Sequence, residues 1–206
     1  PERRGMGYTV EPLECPFPDL RPIVGYARTA TIRAMLPTAR PAAEMKAQRM
    51  AYYEYVAGGT GPTVTVIQDM DAGRKGYGAF WGEVQSHIHR GLGCLGVVTD
   101  GSIRDIPDWA DGFQALAGRI GPSHAYVHLQ DFGQTVNVAG MVVSSGDIVH
   151  ADRHGAVVIP ASAVKEIPAA VQLLVRREGV ILKAARSENF DIEALRRAMA
   201  DADEIH

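Results

Sequence analysis

The segment that most limits the fold runs through residues 63–105. It opens with Thr63-Val-Thr-Val-Ile67, β-branched at every position, which is the pattern of a short strand. After Gln68-Asp-Met-Asp-Ala-Gly73 the chain enters a glycine-rich turn, Gly76-Tyr-Gly-Ala-Phe-Trp-Gly-Glu83. Residues 83–90 read as a helix opening directly from that turn, and residues 93–99 as a short buried strand whose carboxyl end delivers Asp100-Gly-Ser-Ile-Arg104-Asp105. Strand, glycine turn, helix and strand make an α/β unit. In such units ligands sit beyond the carboxyl ends of the strands, and the free N–H groups of a helix start attract anions.

The two ends of this unit carry complementary chemistry. Arg104 presents a planar donor fork suited to a carboxylate or keto oxygen, and Asp105 presents a hard oxygen ligand for a divalent cation. Glu83 adds a second carboxylate at the helix start, with twenty residues between it and Arg104. An adjacent Arg and Asp on a loop also fits an exposed ion pair of little consequence, so the neighbouring sequence has to decide.

Outside this unit, four prolines in the first twenty residues describe an extended arm over residues 1–22. A strand is expected at residues 23–32, where β-branched and small residues alternate, and a helix at residues 42–56, stopped by Gly58-Gly59. Short strands punctuated by glycine are expected at residues 112–117, 124–129, 134–138, 141–143, 147–149 and 156–159. Ser162 is placed to cap a helix that runs to about Arg177, kinks at Pro168 and stops at Gly179; Asp191 is placed to cap a last helix over residues 192–202. This divides the chain into an arm (1–22), a catalytic domain (23–177) and a helical extension (178–206).

Charge and cysteine content remove several function classes. A net charge of −3 supplies no global field for nucleic acid. Cys15 and Cys94 are far apart and lack metal-ligand spacing, so neither a disulfide framework nor a zinc ribbon is indicated, and a reducing cytoplasm is the expected setting. No apolar run reaches the roughly 20 residues a membrane crossing needs. The glycines at 73, 76, 78 and 82 match neither a dinucleotide fingerprint nor a phosphate loop. Phe80 and Trp81 read as packing residues.

Three segments together resemble the RraA-like family of 4-hydroxy-4-methyl-2-oxoglutarate aldolases, oxaloacetate decarboxylases and regulators of ribonuclease E. They are Trp81-Gly82-Glu83, Gly96-Val-Val-Thr-Asp-Gly-Ser-Ile-Arg-Asp105, and Ser145-Gly-Asp-Ile-Val-His-Ala-Asp-Arg-His-Gly-Ala-Val-Val-Ile-Pro160. The resemblance implies a β-rich α/β sandwich related to the swivelling phosphohistidine domain, assembled as a homotrimer or homohexamer. It implies that the amides of Gly82, Glu83, Val84 and Gln85 bind a pyruvate carboxylate, that Arg104 meets substrate oxygens, and that Asp105 binds magnesium or manganese. Glu83 stands where the aldolases carry Asp, about one methylene longer, and is expected to hold water at the metal. The implied activity is metal-dependent cleavage of a small 2-oxo acid to pyruvate. The alternative is a non-catalytic regulator that binds a ribonuclease.

Rival sites are weaker. A Schiff-base aldolase needs a buried lysine, whereas Lys46, Lys75, Lys165 and Lys183 all lie in segments that read as polar surface. His87 and His89 are two apart on a helix and face differently; His124 and His128 lack the carboxylate that would complete a zinc signature. Asp147, Asp152 and His154 read as turn residues. The segment of residues 122–132 departs from the family's commonest sequence and is where substrate choice is expected to reside.

Overall fold

The computed structural model describes residues 7–206, which divide into two compact units, the first ending at Pro160 and the second spanning Ala161–His206. Residues 1–6 of the expected arm lie outside the described residues.

In the first unit the long strand β1 (Ile23–Arg33) organises everything else. Along one side it pairs in parallel with β2 (Thr63–Asp69), which continues to β4 (Cys94–Thr99) and β6 (Gln114–Leu116). Its other side is shared: residues 23–26 pair with β11 (Ile148–Asp152) and residues 30–33 with β8 (His128–Phe132), both antiparallel. Two partners on one edge require the sheet to curl. β12 (Gly155–Ile159) completes the seven strands, and β9 (Val136–Val138) pairs with β10 (Met141–Val143) as a separate hairpin.

Both faces of the curled sheet are covered. Val64 and Val66 of β2 pack with Val98, Leu116, Val138 and Val149 on one side, while Ile67 packs with Ile32, Tyr52, Val56 and Trp81 on the other. A parallel strand buried on both faces explains why β2 is apolar or β-branched almost without interruption. The helices α1 (Ala42–Ala57) and α2 (Glu83–Gly91) belong to the second side, with Tyr52, Val56 and His89 buried.

The arm is stitched down on two strands. Thr9 N–H donates to Ala156 O (2.9 Å), Val158 N–H to Gly7 O (2.7 Å), and Glu14 and Ala117 exchange bonds of 2.7 and 3.0 Å. These contacts satisfy backbone groups on β12 and beside β6 that would otherwise stand open at sheet edges. Leu13 and Cys15 pack against the core, so part of the arm is buried rather than purely external.

The strand expected over residues 124–129 begins only at His128, because residues 124–127 form a turn in which Ala125 takes a positive φ of 45°. In the second unit, Ser162 lies in a single 3-10 turn (Ala161–Ala163), and α3 spans Ile167–Ala185. Pro168 sits in the first turn of α3, where its missing N–H costs nothing, so it starts the helix rather than kinking it. Gly179 is absorbed inside α3, and the domain boundary expected after Arg177 therefore falls within a continuous helix. Asp191 accepts from Ala194 N–H at 2.7 Å and caps α4 (Ile192–Asp203) as expected. Arg177 Nε donates to Ile205 O (2.8 Å) and ties the chain end to α3. Among the described residues no helix is long and apolar enough to cross a membrane.

Candidate functional site

The site is built by a small second sheet that no periodicity announced. Strands β3 (Ala79–Trp81), β5 (Ser102–Ile103) and β7 (Arg119–Ile120) run in parallel, so their carboxyl ends emerge together. β3 leads into Gly82 and Glu83, and β5 into Arg104 and Asp105. Arg104 N–H donates to Trp81 O (3.0 Å), which extends the pairing one residue and sets Gly82 against the Arg-Asp pair. A Cβ on Gly82 would lie 2.5 Å from Asp105 Oδ2 and 3.2 Å from Arg104 Cγ, so glycine is required for the two loops to approach this closely.

Asp105 occupies the left-handed region (φ 56°, ψ 40°), sparsely populated for any residue with a side chain and tolerated best by Asn and Asp. From there its Oδ2 receives Arg104 Nη1 at 2.6 Å and the Glu83 N–H at 3.4 Å. Both side chains are about one-third exposed (34% and 33%), so the pair is reachable by a ligand. Arg104 Nε is buried without a hydrogen-bond partner among the described residues, an orphan donor in a guanidinium whose Nη1 is held by Asp105.

α2 opens at this point with Gly82 as its cap, and no side chain caps it. The Val84 and Gln85 amides at its first turn are left for an anion by helix geometry. That turn is held rigidly from behind. Ser86 Oγ donates to Glu83 O (2.8 Å) and accepts from Ala110 N–H (3.0 Å), and Tyr53 OH donates to Gln85 Oε1 (3.1 Å). His89, fully buried, lies 2.7 Å from Gln85 O through Nδ1 and 2.8 Å from Tyr52 OH through Nε2. A carbonyl only accepts, so the proton sits on Nδ1 and Tyr52 donates to Nε2. Burial holds His89 neutral, with its pKa lowered to about 4 against the backbone bond that favours charge.

The glycine turn is held by buried carboxylates. Asp69 accepts from Asp71 N–H (2.9 Å) and Gly76 N–H (2.7 Å), and Asp71 accepts from Ala34 and Met35 N–H (2.6 and 2.8 Å). Asp100 accepts from Asp69 N–H (2.7 Å) and from Lys75 Nζ (2.6 Å). Lys75 is exposed, as its segment suggests, and braces the turn through its ion pair with the buried Asp100 carboxylate. Burial pushes the Asp69 carboxyl up, partly offset by its two N–H donors, and the Asp71 and Asp100 carboxylates push it further.

Beside Arg104 lies a cleft of about 620 Å³, bordered by Gly82, Val84 and Gln85 on one part of its rim. α1 and the segment of residues 124–129 supply other lining residues, including Arg49, His124 and His128. Glu83 is exposed and lines neither this cleft nor the smaller apolar depression beside Asp105, Ile106 and Ile120. The structure thus brings Arg104, Asp105 and the backbone of Gly82 and Glu83 to one point.

Among the described residues no three His, Cys, Asp or Glu side chains gather as a metal cage. The available donors are carboxylate oxygens of Asp105, with Glu83 at the adjoining helix start. That set fits magnesium or manganese, which bind through one or two carboxylates and keep water and substrate oxygens, and does not fit a closed zinc site. His87 and His89 diverge, one exposed and one buried. His124 and His128 both reach the cleft wall, each with Nδ1 on a backbone carbonyl 2.7 Å away. Asp147 and Asp152 accept N–H bonds from Ser144 and His154 (2.9 and 2.8 Å) in turns.

Residues 3–158 match the family model described as RraA-like, Aldolase/RraA. The chain belongs to the RraA-like family. This family includes aldolases and decarboxylases as well as inhibitors of ribonuclease E. The protein MJ0644 of Methanocaldococcus jannaschii is 35% identical over 91 residues, 43% of this chain and 44% of that protein, so the match spans less than half of the relative's length. A solved structure from Pseudomonas syringae pv. tomato has a TM-score of 0.69 at 22% identity, covering 95% of this chain and 82% of that one. Streptomyces coelicolor RraAS2, described as an unusual member of the RNase ES inhibitor RraA family, gives 0.62 at 24% identity, with coverage of 84% and 82%. The RNA-processing inhibitor RraA from Thermus thermophilis gives 0.53 at 18%, with coverage of 72% and 81%. At these identities the likeness carries the RraA-like α/β fold.

Proposed function

We propose that this RraA-like chain is a divalent-metal-dependent pyruvate aldolase. It cleaves 4-hydroxy-4-methyl-2-oxoglutarate-like 2-oxo acids to pyruvate, decarboxylates oxaloacetate as a side activity, and works as a homotrimer or homohexamer. The observation that carries this reading is the meeting of the Asp105 carboxylate, the Arg104 guanidinium and the first amide of α2 within hydrogen-bond reach of one another.

In this reading the amides of Glu83, Val84 and Gln85, with Gly82 leaving the approach open, hold the substrate carboxylate. Arg104 turns the donors that its bond to Asp105 leaves free to the keto oxygen, where negative charge grows as the bond between C3 and C4 breaks. Magnesium or manganese held by Asp105 would supply Lewis-acid stabilisation of that same oxygen. Glu83, exposed at the first helical position, takes the 4-hydroxyl proton through a water molecule. C4 becomes a carbonyl as its bonding pair passes to C3, and protonation of the enolate at C3 gives pyruvate. With oxaloacetate the departing group is carbon dioxide, and no hydroxyl proton has to be removed.

The test is pyruvate release from 4-hydroxy-4-methyl-2-oxoglutarate and from oxaloacetate with added magnesium or manganese, in the wild type and in Asp105→Ala. Release by the wild type, lost in the variant, is the expected result. A second reading, a regulator that binds a ribonuclease without catalysis, draws on two structural neighbours being described in terms of RNA-processing inhibition. It predicts no release above the rate of free metal in either protein.

A further inference from the structure

The second unit cannot make a core from its own two helices. Of its residues only Ala198 and Ala202 are buried, and α3 contributes none. Leu173, Arg177, Val180 and Ala184, at helical spacing, form the half-buried side of α3, the side from which Arg177 bonds Ile205 O. A different side of the same helix carries a second apolar row. Ile167, Val171, Leu174, Val175 and Leu182 recur at short helical steps and stand 36% to 63% exposed, with Glu178 as the charged residue among them. The row amounts to about 500 Å² of apolar surface, toward the upper end of what a monomer leaves open. That area also matches the apolar part, a little over half, of the roughly 800 Å² that each partner contributes to a stable interface.

We infer that this row is covered by the same row of a second copy of the chain, α3 lying antiparallel on α3 about a two-fold axis near Val175. Charge selects both the occupant and the direction. The unit carries seven Lys and Arg and eight Asp and Glu, so it presents no net field that would choose a partner of opposite charge. Along α3 the charges are separated: Glu166 stands at the N-cap, Lys183 in the last turn and Arg186 at the C-cap. Among the described residues the unit's side-chain ion pair is Arg196 with Glu193 in α4, which leaves Glu166, Lys183 and Arg186 unpaired. An antiparallel pair crossing at Val175 sets Lys183 and Arg186 of one copy beside Glu166 of the other, whereas a parallel pair sets like charges together. A two-fold contact uses one patch on both copies and therefore joins chains in twos. The inference does not depend on the lyase reading. Of the two assemblies named there it admits the homohexamer, two trimers joined by three such pairs, and not the homotrimer.

The test is the mass of the full chain in solution, by light scattering on a sizing column, for the wild type and Leu174→Glu. The wild type is expected to hold an even number of chains and the variant to have half its mass. A monomer or trimer in the wild type, or an unchanged mass in the variant, overturns the pairing. Because a fall in mass would also follow from unfolding, a second measurement reads the contact itself. Val175→Cys and Ile167→Cys are oxidised with copper phenanthroline, with the wild type, which keeps Cys15 and Cys94, as the control. A disulfide-linked dimer is expected from Val175→Cys and not from Ile167→Cys, whose two copies lie about 24 Å apart along the axis of an antiparallel pair. No linkage at Val175, or equal linkage at both positions, overturns the inference. A trimer that releases pyruvate refutes this inference alone, and a paired assembly that releases none refutes the lyase reading alone.

Discussion

Arg104 Nη1 and the Glu83 N–H converge on the same oxygen of Asp105, at 2.6 and 3.4 Å. Three backbone facts produce this convergence: the parallel pairing of β3 with β5, the absence of a side chain at Gly82, and the left-handed conformation of Asp105. An oxygen shared in this way fixes the carboxylate before any ligand arrives. Arg104→Lys keeps the charge and loses the fork, and we expect turnover of a 2-oxo acid to fall on the order of a hundredfold with little change in thermal stability. Steady-state kinetics beside a melting curve checks this; unchanged kinetics would remove Arg104 from the reaction.

Gly82→Ala separates packing from conformation. Gly82 has φ −168°, an extended backbone that alanine adopts freely, so the added methyl acts only through its contact with Asp105. The protein should fold normally while the carboxylate shifts, and activity should fall by about a hundredfold, as expected for an ångström-scale displacement. A crystal structure of the variant with Asp105 unmoved and activity retained would contradict the account.

His89 links α2 to pH. Its pKa is lowered to about 4 in the folded chain from the ordinary 6.5, so between those values the unfolded chain binds the extra proton. Stability therefore rises with pH across this window, is fully present above about 6.5 and is lost on acidification toward 4. The loss is about 3 kcal/mol. Urea denaturation at intervals across the window should show this slope in the wild type and a shallower one in His89→Gln; parallel slopes would exclude His89 as its source.

Lys75→Met leaves Asp100 without its cation in a network that already holds Asp69 and Asp71. The Asp100 side chain is only 4% exposed, whereas Lys75 is 38% exposed, so the cost at neutral pH is about 2 kcal/mol, below that of a fully buried pair. Acidification that protonates the carboxylates should narrow the difference from the wild type. Equal melting temperatures at pH 7 would mean that the brace carries no stability.

The backbone frame was largely legible because its signals are local. The bounds of β2, α1 and α2 follow from β-branched runs, helical spacing and glycine stops, and each lies within two residues of its expected position. Candidate site residues could be proposed because Gly82, Glu83, Arg104 and Asp105 stand in short segments that resemble the family's. What brings them together could not be read, since strands of two or three residues such as β5 and β7 have no period to detect. The same limit hid the burial of His89 and the bracing role of Lys75, both of which depend on partners distant in sequence, Tyr52 and Asp100. Pro168 misled because a proline that breaks a helix and one that begins it differ only in position, and nothing local marked where α3 starts.

The central claim is that Arg104 and Asp105 grip one substrate and metal pair together with the α2 amides. Crystals of the protein soaked with manganese and oxalate test it without requiring turnover. The account predicts anomalous manganese density on the Asp105 carboxylate, with oxalate between Arg104 and the amides of residues 83–85. Manganese bound elsewhere, or both ligands absent from this point at saturating concentration, would contradict it.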